Sequence, residues 1–253
     1  MDTRFFRSLV LSILVLTTGN AFSAEAESRL LDMAMKLADT NQFTVTIHMT
    51  YDVVQDSGQI IEFGEVRTLQ IGRPDFLRVD AQQSDGDVGG LIFDGQTITQ
   101  FSETQRVYSQ IERPGDIDAM IRYAVGELGV RLPLARMLVS SFPQEILRLT
   151  NSVDIVERNT LGPLATEHIA GMTDDLDYQV WIAEDNFPTR IVLTYKNAPG
   201  QPQFRADFAD WETTPILKRA SFTYVPPEDA EKIPILLPVQ PATANQPTKG
   251  DAK

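Results

Sequence analysis

From Phe43 to Val53 the chain alternates without a break. Phe43, Val45, Ile47, Met49, Tyr51 and Val53 take one parity; Thr44, Thr46, His48, Thr50 and Asp52 take the other. Period two places the two sets on opposite faces of a β-strand, one dry and one wet. Gln55-Asp56-Ser57-Gly58 supplies a turn, and residues 59–71 return as a long partner strand with a bulge or bend expected at Gly64. Shorter strands are expected at 76–81, 90–93, 96–101 and 106–111. Asp94-Gly95 is a two-residue hairpin signal, and Gly89-Gly90 reads as a turn.

Two stretches carry a different period. In residues 25–39 Leu30, Leu31, Met33, Ala34, Leu37 and Ala38 follow a helical spacing among good helix formers. After Pro114-Gly115, Asp116 is a candidate N-cap, and Ile117, Met120, Ile121, Ala124, Val125 and Leu128 recur at threes and fours until Gly129. A second helix is expected from Pro133 (Leu134, Met137, Leu138) and a third from Pro143 (Ile146, Leu147, Leu149). This insert spans 115–149. Strands resume near 152–157, 165–171, 178–183, 189–195, 203–208 and 221–225. With no fixed-period repeat, the pattern predicts an α+β domain built on one large antiparallel sheet, with an N-terminal helix and a helical insert.

The ends differ from the body. Arg4 and Arg7 precede the apolar run 9–17, too short to span a bilayer, and small residues follow at Ala21, Ser23, Ala24 and Ala26. Residues 1–24 therefore read as a secretory signal cut between Ser23 and Ala26. The chain has no cysteine, which rules out a lipid-modified Cys at the cut as well as disulfides. Residues 228–253 form a Pro-rich tail expected to be largely disordered, with 233–237 able to dock on the body. The formal charge is −13, or −14 once Asp2, Arg4 and Arg7 leave with the signal. Such a surface repels phosphate backbones and anionic bilayers, so neither nucleic acid nor a stable membrane attachment is expected.

Catalytic chemistry finds little support. His48 lies on the wet side of its strand and His168 within another strand, and there is no Gly-x-Ser-x-Gly elbow. Asp174, Asp175 and Asp177 lack the spacing of a calcium loop and read as a solvated turn, as do Glu184 and Asp185. No phosphate-binding glycine loop occurs. The expectation is a non-enzyme with no metal and no cofactor; hydrolysis through a pair of the 35 acidic residues is the residual alternative. What remains is apolar surface on the first strand and the insert. It either closes as an ordinary core or leaves a cavity whose methionines (Met33, Met35, Met49, Met120, Met137) adapt to varied guests.

Several segments, in order, carry a resemblance: Arg73-Pro74-Asp75-Phe76-Leu77-Arg78-Val79, Phe93-Asp94-Gly95-Gln96-Thr97-Ile98, Val107-Tyr108 and Leu132-Pro133-Leu134-Ala135. Gln179-Val180-Trp181-Ile182, Phe187-Pro188-Thr189-Arg190 and Asp210-Trp211 continue it. From about Ala26 to Pro227 the chain resembles a family of predicted periplasmic proteins related in fold to the lipoprotein carriers LolA and LolB and to the regulator RseB. That resemblance implies a half-open barrel of about eleven strands over residues 25–227, helices plugging its mouth, and a hydrophobic cavity between them. The resemblance supplies no ligand; together with the secretory signal and the expected cavity, the expectation is a Gram-negative periplasmic carrier or sensor for a lipid or a lipoprotein acyl chain. The candidate wall is Val45, Ile47, Met49 and Tyr51 from the first strand, Met120, Ile121, Ala124 and Leu128 from the insert, and Trp181. The alternative is an envelope protein-interaction module using the insert or the Pro-rich tail.

Overall fold

A computed structural model describes residues 19–128 and 134–234 of the chain. The expected signal segment up to residue 18, residues 129–133 within the insert and the tail from residue 235 lie outside them. Helix α1 (Gly19–Asp39) turns Ala26, Leu30, Met33, Ala34 and Leu37 into the core, the i, i+3, i+4, i+7 stripe of an amphipathic helix. It runs straight through the expected cleavage region. Its last carbonyls are met by Arg73, which donates to Leu37 O at 3.2 Å and Thr40 O at 3.3 Å. Burial lowers the pKa of this guanidinium, while Asp118 and Asp39 pull it the other way.

Strand β1 (Gln42–Val54) pairs with β2 (Ile60–Gly72) in unbroken antiparallel register from Gln42↔Gly72 to Val54↔Ile60. Gly64 sits within that register opposite Thr50, so no bulge interrupts the pairing there. The meander continues through β3 (Phe76–Gln83), β4 (Val88–Phe93), β5 (Thr97–Ser102) and β6 (Val107–Glu112). Gly89 and Gly90 belong to β4 rather than to a turn. A Cβ on Gly90 would stand 2.8 Å from Phe101 Cζ, so glycine is needed here for close approach, not for reversal. After the insert come β7 (Ser152–Asn159), β8 (Thr166–Met172), β9 (Leu176–Ala183), β10 (Pro188–Tyr195) and β11 (Gln203–Glu212). The short β12 (Glu231–Lys232) closes the count.

These strands form one 12-stranded sheet in the order β12-β6-β5-β4-β3-β2-β1-β11-β10-β9-β8-β7. The central β1 joins the two meanders, and the ends β12 and β7 do not pair. Ile98 on β5 and Val153 on β7, near opposite ends of that order, nevertheless share one hydrophobic cluster with α1 and the insert. The sheet therefore curls around its core without closing. This is the half-open barrel, with one strand more than expected. Bulges at Thr44/Thr46, Pro188/Arg190 and Ile155/Glu157 supply local twist for the curl.

The insert folds as expected at its start and differently afterwards. Asp116 caps α2 (Ile117–Gly126), accepting from Ala119 N at 2.7 Å, and Ile117, Met120, Ile121 and Ala124 are buried. The expected second helix starts at Pro133, outside the described residues; its described part holds a 3-10 turn, Ala135–Leu138, after which Val139 is extended and Ser140 N donates to the Asp118 carboxylate at 3.1 Å. Helix α3 (Phe142–Leu149) then leads into β7.

The expected strand at 221–225 is not one. That segment crosses the convex face as a 3-10 turn (Arg219–Phe222) and buries Phe222 against Ile92 and Phe101, while Tyr224 stacks on Phe101 at 5.1 Å. Its β-rich composition serves packing across strands rather than pairing along one. Glu231 and Lys232 then pair parallel to Val107 and Tyr108 of β6, so the first residues of the Pro-rich tail lie against the body.

Candidate functional site

Strand parity decides what faces the concave side. From β1 it is Phe43, Val45, Ile47, Met49 and Tyr51; register carries the same face to Ile71, Leu69, Arg67 and Phe63 on β2, then to Leu77, Val79 and Ala81 on β3. On the other flank Tyr51, Met49 and Ile47 face Phe204, Ala206 and Phe208 of β11. These walls and the insert enclose a cavity of about 610 Å³, within the range of small-molecule sites. Phe43, Leu77 and Trp211 line its deep end, and Met120, Ile121, Leu134 and Met137 roof it.

Trp211 organises the deep end. Its ring packs on Phe43 at 5.3 Å, Phe187 at 4.4 Å and Phe208 at 5.8 Å, and its Nε1 donates to Pro188 O at 3.1 Å. Positive φ at the neighbouring Asp210 and the β1–β11 bulge interrupt the parity of β11 here. Simple alternation therefore does not reveal that Trp211 faces inward.

Toward the opposite end the lining turns polar. Arg67 and Glu65 share the concave face of β2 and pair bidentately, Nε to Oε1 at 2.7 Å and Nη2 to Oε2 at 3.1 Å. The hairpin between β3 and β4 adds Gln83, Asp85 and Asp87; that between β5 and β6 adds Gln105. Burial raises the pKa of the Tyr51 hydroxyl; Glu65 and Asp85 add to the rise, and Arg67 opposes it. The cavity thus has a dry interior and a hydrogen-bonding, acidic rim.

Val45, Ile47, Met49, Tyr51, Met120 and Ile121 come together on the cavity wall. Ala124 is buried in the same core cluster, one turn further along α2, but does not line the cavity; Leu128 is half-buried beyond the end of α2. Trp181 is a correction. In β9 Tyr178, Val180 and Ile182 face inward, which turns Trp181 outward with Gln179. There it stacks on His168 at 4.0 Å with 9° between planes, and Arg190 lies over it at 5.6 Å. Arg67, Glu65 and Trp211 were missed. The first two were accessible by carrying the parity of β1 across the hairpin.

The histidines lie away from the cavity: His48 is exposed, and His168 Nε2 contacts Gln179 Oε1 at 3.0 Å on the convex side. Asp174 accepts from Asn151, Asp175 from Asn197, and Asp177 pairs with Lys196, so the acidic turn is held by its own neighbours. Among the described residues no group of three or more His, Cys, Asp or Glu side chains could hold a metal ion. No helix among them is long and apolar enough to cross a membrane.

Fold and site together define an open antiparallel half-barrel, roofed by helices, around an apolar cavity. The chain belongs to the family described as Predicted periplasmic protein (DUF2092), whose model matches residues 26–236. The periplasmic placement expected from the sequence is the one this family carries. No curated protein matches the chain. Similar solved structures include MucB, at 15% identity and a TM-score of 0.45 over 80% of this chain and 64% of that one. This chain thus spans less than two thirds of MucB. LprF from Mycobacterium bovis is similar at 12% identity and a TM-score of 0.45, covering 82% and 98%. A LolA superfamily protein from Nitrosomonas europaea is similar at 10% identity and a TM-score of 0.37, covering 79% and 97%.

Proposed function

We propose that this protein binds a hydrophobic ligand, a lipid or the acyl chain of a lipoprotein, as a periplasmic carrier or sensor without covalent chemistry. The observation that carries this reading is the apolar cavity of about 610 Å³ held between the concave sheet and the insert. Apolar wall left facing water gives up the favourable burial of about 25 cal/mol per Å² that a guest would supply. Water entering from the rim finds few polar partners on the walls formed by Val45, Leu69, Phe204 and Met137. An apolar guest relieves both costs. A chain of about 16 carbons contributes on the order of 12 kcal/mol gross on burial, and association costs leave a net affinity near the micromolar range.

The insert supports this reading over a protein-interaction module. Ile117, Met120, Ile121 and Ala124 are spent on the chain's own interior, so α2 offers no broad apolar face to a partner. Titration of the delipidated protein with the neutral fluorophore N-phenyl-1-naphthylamine tests the proposal. Saturable uptake at one site, reversed by acyl compounds, is expected. Absence of saturable uptake contradicts it.

A further inference from the structure

The rim selects the head of the guest. Among the described residues that line the cavity, Arg67 alone is basic, and it is already engaged by Glu65 through two hydrogen bonds. Glu65 is well covered, with a side-chain exposure of 10%, so Arg67 reaches the wall already neutralised by a partner behind it. An anionic head arriving at Arg67 must displace a bidentate carboxylate already in place. Asp85 and Asp87, at the tip of the hairpin between β3 and β4, also line the cavity, and among the described residues no basic side chain lies within ion-pair distance of either. With Arg67 and Glu65 cancelling, these two carboxylates leave the mouth with a formal charge of −2. The net charge of the chain, −13, adds a field of the same sign.

We infer that the cavity takes an amphiphile whose head carries an ammonium group and no net negative charge, with its acyl part against Val45, Leu69 and Phe204 and its head between Asp85 and Asp87. This rests on the cavity being the ligand site. Burial is the main cause of the raised Tyr51 pKa; Glu65 and Asp85 add to it against Arg67, in keeping with a negative field beside the cavity. The head lies at a solvated rim, so the selection is electrostatic and weakens with salt, while the apolar contribution does not.

The test displaces bound N-phenyl-1-naphthylamine with compounds that share a dodecyl chain and differ in head, each below its micellar concentration. Dodecylammonium, dodecylphosphocholine, dodecyl maltoside and dodecanoate cover the four charge types. Dodecylammonium and dodecylphosphocholine are expected to act at about one tenth the concentration dodecanoate needs, a difference of about 1.4 kcal/mol. In Asp85→Asn/Asp87→Asn the ratio of dodecylammonium to dodecanoate falls to within about threefold, and dodecyl maltoside is unchanged. The turn survives this change, because the amide oxygen at position 85 still accepts from the backbone N–H of position 87, as Asp85 Oδ1 does. Dodecanoate displacing the probe as well as dodecylammonium, or a preference that persists in the double variant, overturns the inference. Displacement by dodecyl maltoside without any head preference sinks the head assignment and leaves the cavity standing; no probe uptake at all removes both.

Discussion

Gly171 on β8 and Tyr178 on β9 fit together so closely that a Cβ at 171 would stand under 3.0 Å from Cζ, Oη and Cε1 of the tyrosine. The ring crosses over the missing side chain and reaches the Oγ1 of Thr150, 2.9 Å away, at the residue that ends α3. The glycine thereby lets one strand pair tie the insert to the sheet. Gly171→Ala forces the ring aside and is expected to destabilise the fold by about 1–3 kcal/mol, read as a fall in the urea midpoint. An unchanged midpoint contradicts this packing.

The same tyrosine gives the protein an alkaline limb. Burial raises the Tyr178 pKa above the ordinary phenol value of 10.0, partly offset by the Thr150 hydrogen bond. Its folded-state pKa lies above its unfolded one, so its contribution is full below 10.0 and is lost as pH rises through the folded value. Tyr51 and Tyr224 shift in the same direction, burial being the main cause in each. Stability measured by urea unfolding is expected to fall as pH is raised above 10.0, and Tyr178→Phe to flatten that fall. The variant gives up about 1 kcal/mol at neutral pH for the lost hydrogen bond. Parallel pH profiles in the two proteins would contradict the assignment.

The two tryptophans report on opposite faces. Trp211 lines the cavity, while Trp181 stacks on His168 outside it. Ligand uptake is therefore expected to change the emission of Trp181→Phe, whose remaining indole is Trp211, and to leave the emission of Trp211→Phe nearly unchanged. A response that follows Trp181 would place the guest on the convex face.

Filling the cavity separates binding from folding. Ala81 lines the cavity opposite Arg67 and is only half-buried, so Ala81→Trp places a large ring in the open space without stripping core contacts. It is expected to weaken acyl uptake about tenfold or more, by about 1.4 kcal/mol, with little change in thermal midpoint. Ile121→Asp, by contrast, buries a carboxylate at a site 5% exposed and is expected to lose uptake together with several kcal/mol of stability. Full uptake by Ala81→Trp would mean that the guest sits elsewhere.

Much of this architecture was legible in the residues, and the failures have physical causes. The β1 alternation is unbroken because one face of that strand is core along nearly its whole length, and the same parity carried across the hairpin puts Glu65 and Arg67 on the concave face, Arg67 in the wall. Trp181 faces outward because Tyr178, Val180 and Ile182 occupy the inward positions of β9, an alternation readable in the residues themselves. Trp211 was hidden by a bulge and the positive φ of Asp210, which shift parity where only tertiary pairing fixes it. The segment 221–225 has strand composition but no strand partner, since its aromatics pack across the convex face onto Ile92 and Phe101. Gly89-Gly90 looked like a turn because sequence does not show that Phe101 and the backbone of β3 fill the space beside them.

The apolar cavity is expected to hold a guest in the periplasm. Native mass spectrometry of the protein purified from that compartment, followed by organic extraction, tests it most directly. A mass above that of the polypeptide, with an extracted acyl compound of matching mass, is the expected result. A clean apo mass in protein that also takes up no N-phenyl-1-naphthylamine would contradict the account and mean that the space between sheet and insert is not a ligand site.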